Sequence, residues 1–304
     1  MDSLDSQPYP QGMRLLVQIM LLALSTSLLG CATATKPPPE NRDAAAPDPQ
    51  AVQKAIETGD QAFKAGNRDL ALFHYVKVLT LDQENINALY KIATIHREKR
   101  NTELAEKAYR DTLKQKANHA GALEGFGLLQ LHKKEFELAK DKFAAAVKID
   151  PKRWRAHNGL GVIADLRKDY VTAQQHYQAA LEIKPGLPLL LNNLGYSHYL
   201  AGDWELARSF FEKILAKDSR YEKAWANLGL IYVRQGHHDK ATGAFQNIMD
   251  EPESLYHIGY ILMMEGEHRT AEKYFRKAIH ASPTYYPEAN DNLEKIQALL
   301  KANG

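Results

Sequence analysis

The chain is predicted to be all-α, a solenoid of seven helical hairpins closed by a C-terminal capping helix. Three periodic positions predict it. Ala71, Ala105, Ala139, Ala173, Ala207 and Ala241 follow one another at a spacing of 34 residues. At a background of roughly one alanine in ten, five such matches in a row have chance odds on the order of 10⁻⁵. Four residues after each alanine stands a large ring: Tyr75, Tyr109, Phe143, Tyr177, Phe211 and Phe245. Twelve residues before each stands Gly59, Ala93, Gly127, Gly161, Gly195 or Gly229. Small residues let two antiparallel helices approach closely, and a ring fills the wedge between one hairpin and the next.

In chain order, the first segment has a different character. Leu15 to Leu24 is apolar apart from Gln18, with further apolar residues to Leu29. That run is short for a membrane span and suits the apolar region of a secretory signal over residues 1–30. Asp2 and Asp5 are acidic where such a signal is basic, whereas Met13 is followed by Arg14, so translation is expected to begin at Met13. Residues 31–50 contain Lys36-Pro37-Pro38-Pro39 and the stretch from Ala44 to Pro49. With few large apolar residues they are expected to form a tether, whose reach is roughly 60 Å if it is polyproline-like.

The repeat array is expected over residues 51–285, with units 52–85, 86–119, 120–153, 154–187, 188–221, 222–251 and 252–285. Gly66, Gly202, Gly236 and Gly266 fall where the two helices of a unit must turn, a place that favours a residue without Cβ. Pro151, Pro185 and Pro283 fall where second helices must stop. The seventh unit keeps its internal spacing through Gly259, Ala271, Phe275, Ala278 and Pro283, but Ala271 lies 30 residues after Ala241. Unit six is therefore expected to lack about one helical turn after Ile248, with Pro252 as the stop. Over residues 286–304, Ala289, Leu293, Ile296 and Leu300 share one stripe, with Glu288, Asp291, Glu294, Lys295 and Lys301 elsewhere. This amphipathic segment is expected to cover the open end of the array.

Composition excludes more than it selects. The 304 residues carry 39 basic and 37 acidic side chains, a net charge of +2. There is no basic stripe of the kind nucleic acid requires. Gly159-Leu160-Gly161-Val162-Ile163-Ala164 spells a dinucleotide fingerprint, but no strand precedes it and Gly161 is a packing position. His237-His238 are adjacent and lack carboxylates or cysteines at ligand spacing, so they read as a solvated turn. His157, His176 and His198 accompany no nucleophile in a strand-turn-helix setting and read as packing or groove residues. No catalytic residue, cofactor or metal is expected, and the chain is read as a non-enzyme.

The candidate binding residues lie in units five and six. Asn193 and Asn227 each precede the small glycine by two residues, one period apart, and Asn192, Tyr196 and Tyr199 share the neighbouring surface. An asparagine amide offers an acceptor and two donors to an extended guest backbone, and tyrosines add apolar contact at low entropy cost. The alternative is that these asparagines cap or fill space within an Asn-Leu-Gly motif.

The 34-residue period, with its small residue, alanine and ring, resembles the tetratricopeptide repeat. In some proteins of that kind, asparagines at this position form a ladder along a bound peptide. The resemblance carries that role to Asn193 and Asn227 only, since units two, three, four and seven have Lys91, Gly125, Gly159 and His257 there. A clamp for a C-terminal carboxylate, known from other such arrays, would need lysine and asparagine where Ile56 and Asp60 stand.

Leu28-Leu29-Gly30-Cys31 resembles a bacterial lipobox, and Cys31 is the only cysteine. The resemblance implies acylation of Cys31, with palmitate or a similar chain, and a membrane-tethered mature protein. Ala32 after the cysteine implies outer-membrane sorting, with the array facing the periplasm. Lipobox, tether and C-terminal half together resemble the TadD family of tight-adherence (Flp) pilus assembly. The motifs are Asn192-Asn193-Leu194-Gly195-Tyr196, Ala226-Asn227-Leu228-Gly229, the shortened unit, His257-Ile258-Gly259-Tyr260, Ser282-Pro283-Thr284-Tyr285-Tyr286 and Asn292-Leu293. This resemblance implies a scaffold partnered with a secretin or other pilus-assembly components. Two alternatives share the architecture: the pilotin of type IV pili, and an NlpI-like adaptor for peptidoglycan hydrolases and a protease.

Overall fold

A computed structural model describes residues 48–302. The expected signal segment, Met13, Cys31 and the expected tether as far as residue 47 lie outside the described residues. Within them the chain is all α-helical. First and second helices alternate as α1 (Pro49–Lys64), α2 (Arg68–Leu81), α3 (Ile86–Glu98), α4 (Thr102–Gln115), α5 (Ala120–His132), α6 (Phe136–Ile149), α7 (Trp154–Leu166), α8 (Tyr170–Ile183), α9 (Pro188–Ala201), α10 (Trp204–Leu215), α11 (Glu222–Arg234), α12 (His238–Phe245), α13 (Glu251–Met264) and α14 (His268–Ala281). The amphipathic stripe after them forms α15 (Pro287–Ala302), with Ala289 and Ile296 fully buried.

The chain leaves each first helix by the same backbone turn. The amide of the residue that opens the next helix closes on a carbonyl five residues back, as in Asn67 N–H to Ala62 O and Glu135 N–H to Gln130 O, both 2.9 Å. Such a wrap needs one residue in the left-handed region. Gly66, Gly202, Gly236 and Gly266 provide it, as their spacing predicts, with φ from 73° to 91°. In units two, three and four the same position is Arg100, Lys134 or Lys168, each at φ 62°. A Cβ in that region crowds the following carbonyl.

The periodic positions are the core. The seven alanines from Ala71 to Ala271 are each 0% exposed, and the seven rings from Tyr75 to Phe275 are at most 2% exposed. Gly59, Gly127, Gly195, Gly229 and Gly259 at the small position each leave room for the ring of their own unit. A Cβ on Gly59 would stand 2.8 Å from Tyr75, and one on Gly229 would stand 2.5 Å from Phe245. The rings also reach into the following unit, where a Cβ on Gly125 or Gly159 would stand 2.3 Å from Tyr109 or Phe143. Phe143 is thereby clamped between Gly127 of its own hairpin and Gly159 of the next.

The described chain divides into two compact units, one of residues 48–167 with 182–184 and one of residues 168–181 with 185–302. In the first, each helix from α1 to α7 packs on its neighbour in sequence, and α5 also touches α3 and α7. In the second, α9 to α15 pack in succession, and the first helices α9, α11 and α13 touch one another in turn. First helices thus form the inner layer of each stack, with second helices outside. Ion pairs between successive hairpins line the outer turns: Arg68–Glu98, Lys99–Asp69, Lys133–Glu106, Arg167–Glu137 and Arg234–Glu265.

Unit six is short, but not for the reason its proline suggests. Its second helix α12 has 8 residues against 14 in α14, and it ends at Phe245, before Ile248. The Asn247 side chain donates to the carbonyl of Gly243 at 2.7 Å, drawing the chain out of the helix. Pro252 stops nothing: it sits in the first turn of α13, whose cap is Asp250 accepting from Glu253 N–H at 2.9 Å. Proline is at home there because that turn has no partner for its missing N–H.

Two substitutions probe these constraints in opposite directions. Gly229→Ala should destabilise the protein by about 1–3 kcal/mol through overpacking against Phe245. Lys134→Gly should stabilise it by about 0.5–1 kcal/mol by relieving the left-handed side chain. Urea denaturation midpoints measure both, and equal midpoints for the two variants would refute the account.

Candidate functional site

The five residues singled out in the sequence lie on α9 and α11 of the second stack. Asn192, Asn193 and Tyr199 are 4%, 4% and 6% exposed, while Tyr196 and Asn227 are half-buried. Tyr196 and Tyr199 stack with ring centroids 5.7 Å apart, and the Arg234 guanidinium lies 4.8 Å over the Tyr199 ring. Asn227 Nδ2 donates to Asn192 Oδ1 at 3.1 Å. This bond joins residues 35 apart, so it runs between different positions of the two units. It is not a rung between the equivalent Asn193 and Asn227.

Neighbouring units show what the position two residues before the small glycine does. Gly125 and Gly159 there receive the ring of the preceding unit, and His257 there lies 6.2 Å from the Phe245 ring. The position is first a packing site between hairpins. The GxGxxA glycines share this fate, since Gly159 faces Phe143 and Gly161 is buried in α7. His237 and His238 are the cap and first residue of α12, with His238 edge-on to Tyr274 at 5.3 Å, so only His237 keeps the solvated setting expected of the pair. Among the described residues there is no cluster of three or more His, Cys, Asp or Glu able to hold a metal ion, and no helix long and apolar enough to cross a membrane.

The first stack holds a pocket that the sequence did not announce. A cavity of about 260 Å³ opens between α1, α3, α5 and α7. Tyr90, Thr94 and Arg97 line it from one face of α3, and Gly121, Glu124, Gly125 and Leu128 from one face of α5. Phe63 and Arg155 come from α1 and α7. Two glycines one turn apart bring tyrosine hydroxyls against the α5 backbone: a Cβ on Gly121 would stand 2.8 Å from Tyr90 Oη, and one on Gly125 would stand 2.3 Å from Tyr109 Oη. Arg97 Nε donates to Tyr109 Oη at 3.3 Å.

Charges in the pocket are unevenly paired. Glu98 is taken by Arg68 at 2.5 Å, and Lys91 lies 3.6 Å from Asp60 and 4.8 Å over the Phe63 ring. Glu124, 8% exposed, has Arg153 at 3.9 Å, a guanidinium that Asp150 also holds at 2.9 Å. Burial pushes the Glu124 carboxyl above the usual carboxylate range, against the pull of Arg153, Arg155, the backbone at Ala156 and Arg97. Among the described residues, Arg97 and Arg155 form no carboxylate ion pair; Arg155 lies 4.3 Å over the Trp154 ring. The legible signal was the glycine pair at 121 and 125, four residues apart in one helix. Its meaning depends on rings from two other helices.

A second opening, of about 480 Å³, lies beside the short α12, where Thr242, Gly243, Leu255 and Tyr274 are among its walls.

Sequence profiles of the tetratricopeptide repeat match residues 90–153, 135–188, 192–251 and 252–285. No curated protein matches the chain. Among solved structures, the fold resembles a tetratricopeptide repeat protein from Parabacteroides merdae, with TM-score 0.55 and 16% identity over 82% of this chain and 99% of that one. It resembles PilF of Pseudomonas aeruginosa with TM-score 0.52 and 17% identity, over 82% and 97% of the two chains. A chain of the APC/C hetero-tetramer Cut9–Hcn1 gives TM-score 0.58 and 16% identity over 81% of this chain and 51% of that one. At these identities the likeness is one of fold.

The buried Glu124 carries a pH signature. Its value is higher in the fold than in the unfolded chain, so the fold holds the proton more tightly and loses stability as pH rises from the unfolded to the folded value. Glu124→Gln should therefore raise the urea midpoint at neutral pH. The two proteins should converge at about pH 4 and below, where the carboxyl is protonated in both states. A lower midpoint for the variant at neutral pH would contradict this.

Proposed function

Because the chain belongs to the tetratricopeptide repeat family, a protein-interaction scaffold fold, we propose that it is a non-catalytic adaptor tethered to the outer membrane. Its array faces the periplasm and acts in assembly of a tight-adherence pilus machine, through a secretin or another assembly component. The observation that carries the reading is one of order along the chain. A lipobox at residues 28–31 leads into a proline- and alanine-rich tether and then into the array, whose C-terminal half carries the Asn-Leu-Gly helices and the short unit six. Acyl chains on Cys31 hold a protein at a bilayer with about 0.8 kcal/mol per buried methylene, and the tether leaves the array free to receive a partner. The inner layer of first helices supplies the surface.

Three linked measurements test this. Cys31→Ser should release the protein from the membrane fraction and abolish labelling by radioactive palmitate. Deletion should remove surface fibres and adherence while cell shape stays normal. Crosslinking in intact cells should recover a secretin or pilus-assembly component, and the variant Asn193→Ala, Tyr196→Ala, Asn227→Ala reports whether α9 and α11 take part. Recovery of cell-wall hydrolases with a protease, together with altered cell shape and intact fibres, would replace the pilus role with a hydrolase-adaptor role.

A further inference from the structure

We propose that the outer face of α2 rests on the bilayer that holds Cys31, with Leu70, Phe73 and Val76 among the acyl chains and Lys77 at the phosphate headgroups. This rests on the reading that Cys31 is acylated, and it adds which face of the array the lipid takes. Second helices share one design, so their outward positions can be compared from unit to unit. These are the residue before the periodic alanine and the residues two and five after it. In unit one they are Leu70, Phe73 and Val76, exposed by 43%, 64% and 47%. In every later unit at least two of the three are polar or small, as with Lys107 and Arg110 in unit two, Asp141 and Ala144 in unit three, and Lys273 and Arg276 in unit seven. The inward face of α2 is fully buried at Ala71, Tyr75 and Val78. The helix is thus apolar on two opposite faces, a pattern that belongs to helices covered on both.

Place, area and charge each favour lipid as that cover. Residues 32–47 join Cys31 to the cap of α1 at Asp48, and fully extended they span no more than about 60 Å. The hairpin of α1 and α2 is therefore the part of the array tied nearest the bilayer. Standing at the end of the stack does not account for the patch, because α1 already shows water a polar side with Gln53, Lys54, Glu57 and Gln61. Three side chains of one helix fall well short of the about 800 Å² per partner that a stable dimer buries. A chain already anchored needs less, since the second contact forms without the translational loss that a free partner incurs. Lys77 is exposed one turn after Phe73, and a lysine stem lies along apolar surface while its ammonium stays with polar groups. Asp69, beside Leu70, is held by Lys99. Second helices lie outside the first, so lipid on α2 turns the inner layer of the first stack away from the membrane and toward a partner.

The test takes the protein as its host processes it, incorporated in vesicles of phosphatidylethanolamine and phosphatidylglycerol. Acylation occupies the sulfur of Cys31, the only cysteine, so a nitroxide can be attached to one introduced cysteine. Thr80→Cys places it on the outer stripe, seven residues on from Phe73, and Lys148→Cys places it at the corresponding exposed position of unit three. At position 80 the nitroxide should lose most of its collisions with an aqueous nickel chelate and gain collisions with oxygen, which concentrates among acyl chains. At position 148 it should stay open to nickel. The triple variant Leu70→Gln, Phe73→Gln, Val76→Gln, confined to exposed side chains, should bring position 80 to the level of position 148 while the protein still floats with the vesicles. Equal nickel access at the two positions, or protection at 80 that survives the triple variant, would overturn the proposal. Protection of 80 from nickel and oxygen alike would also overturn it, by placing protein over the face, either residues before 48 or a second copy. These results leave the acyl anchor standing, whereas a parent protein that does not float with the vesicles would overturn the anchor and the proposal together.

Discussion

One buried aromatic ring per hairpin organises everything else, and in the third unit it is held against backbone on two sides. Phe143 has Gly127 on one side and Gly159 on the other, and neither side has room for a single methyl group. Burying such a ring is worth about 1.5–3 kcal/mol, and here the same ring closes its own hairpin and receives the next one. Intra-hairpin and inter-hairpin packing therefore share atoms. A stack built this way has cooperativity between neighbours without contacts between distant units.

The clamp also decides where binding chemistry can appear. The residue two before the small position changes along the chain from Lys91 to Gly125, Gly159, Asn193, Asn227 and His257, and at Gly125, Gly159 and His257 it meets the preceding ring. Where it is glycine the inner layer is recessed, and with Gly121 one turn away the recess becomes a cavity lined by hydroxyls and guanidiniums. Where it is asparagine the polar group is drawn into the stack, and a bridge from Asn227 to Asn192 ties two units together. One steric position thus gives the two stacks different inner faces.

Much of this was legible because steric requirements repeat. Alanine, ring and small residue each have a single job in every unit, and their spacing exposed the helices, the units and the cap. Other features were hidden because they depend on context. Arg100, Lys134 and Lys168 occupy left-handed positions that composition alone does not mark, since only the backbone wrap demands that geometry. Pro252 reads as a stop or a start depending on which helix claims it, and Asp250 settles the choice by capping α13. The pocket needs Tyr90, Tyr109, Glu124 and Arg155 from four different helices, a set that no linear spacing reveals. Asn227 bonds to Asn192 and not to its equivalent Asn193, a pairing of different positions that the one-period spacing does not reveal.

The short α12 has a mechanical meaning. It meets α13 over a thinner interface than the corresponding second helices of the first stack meet their successors. In an array where strength passes only from neighbour to neighbour, tension along the chain concentrates at its thinnest joint. A pull between the two ends of the second stack would part α12 from α13 first. It would free a C-terminal block of α13, α14 and α15 that keeps its own aromatic core of Tyr256, Tyr260, Phe275 and Tyr286. The protein thereby carries a built-in point of yielding, placed so that its end can give way while the hairpins before it stay closed.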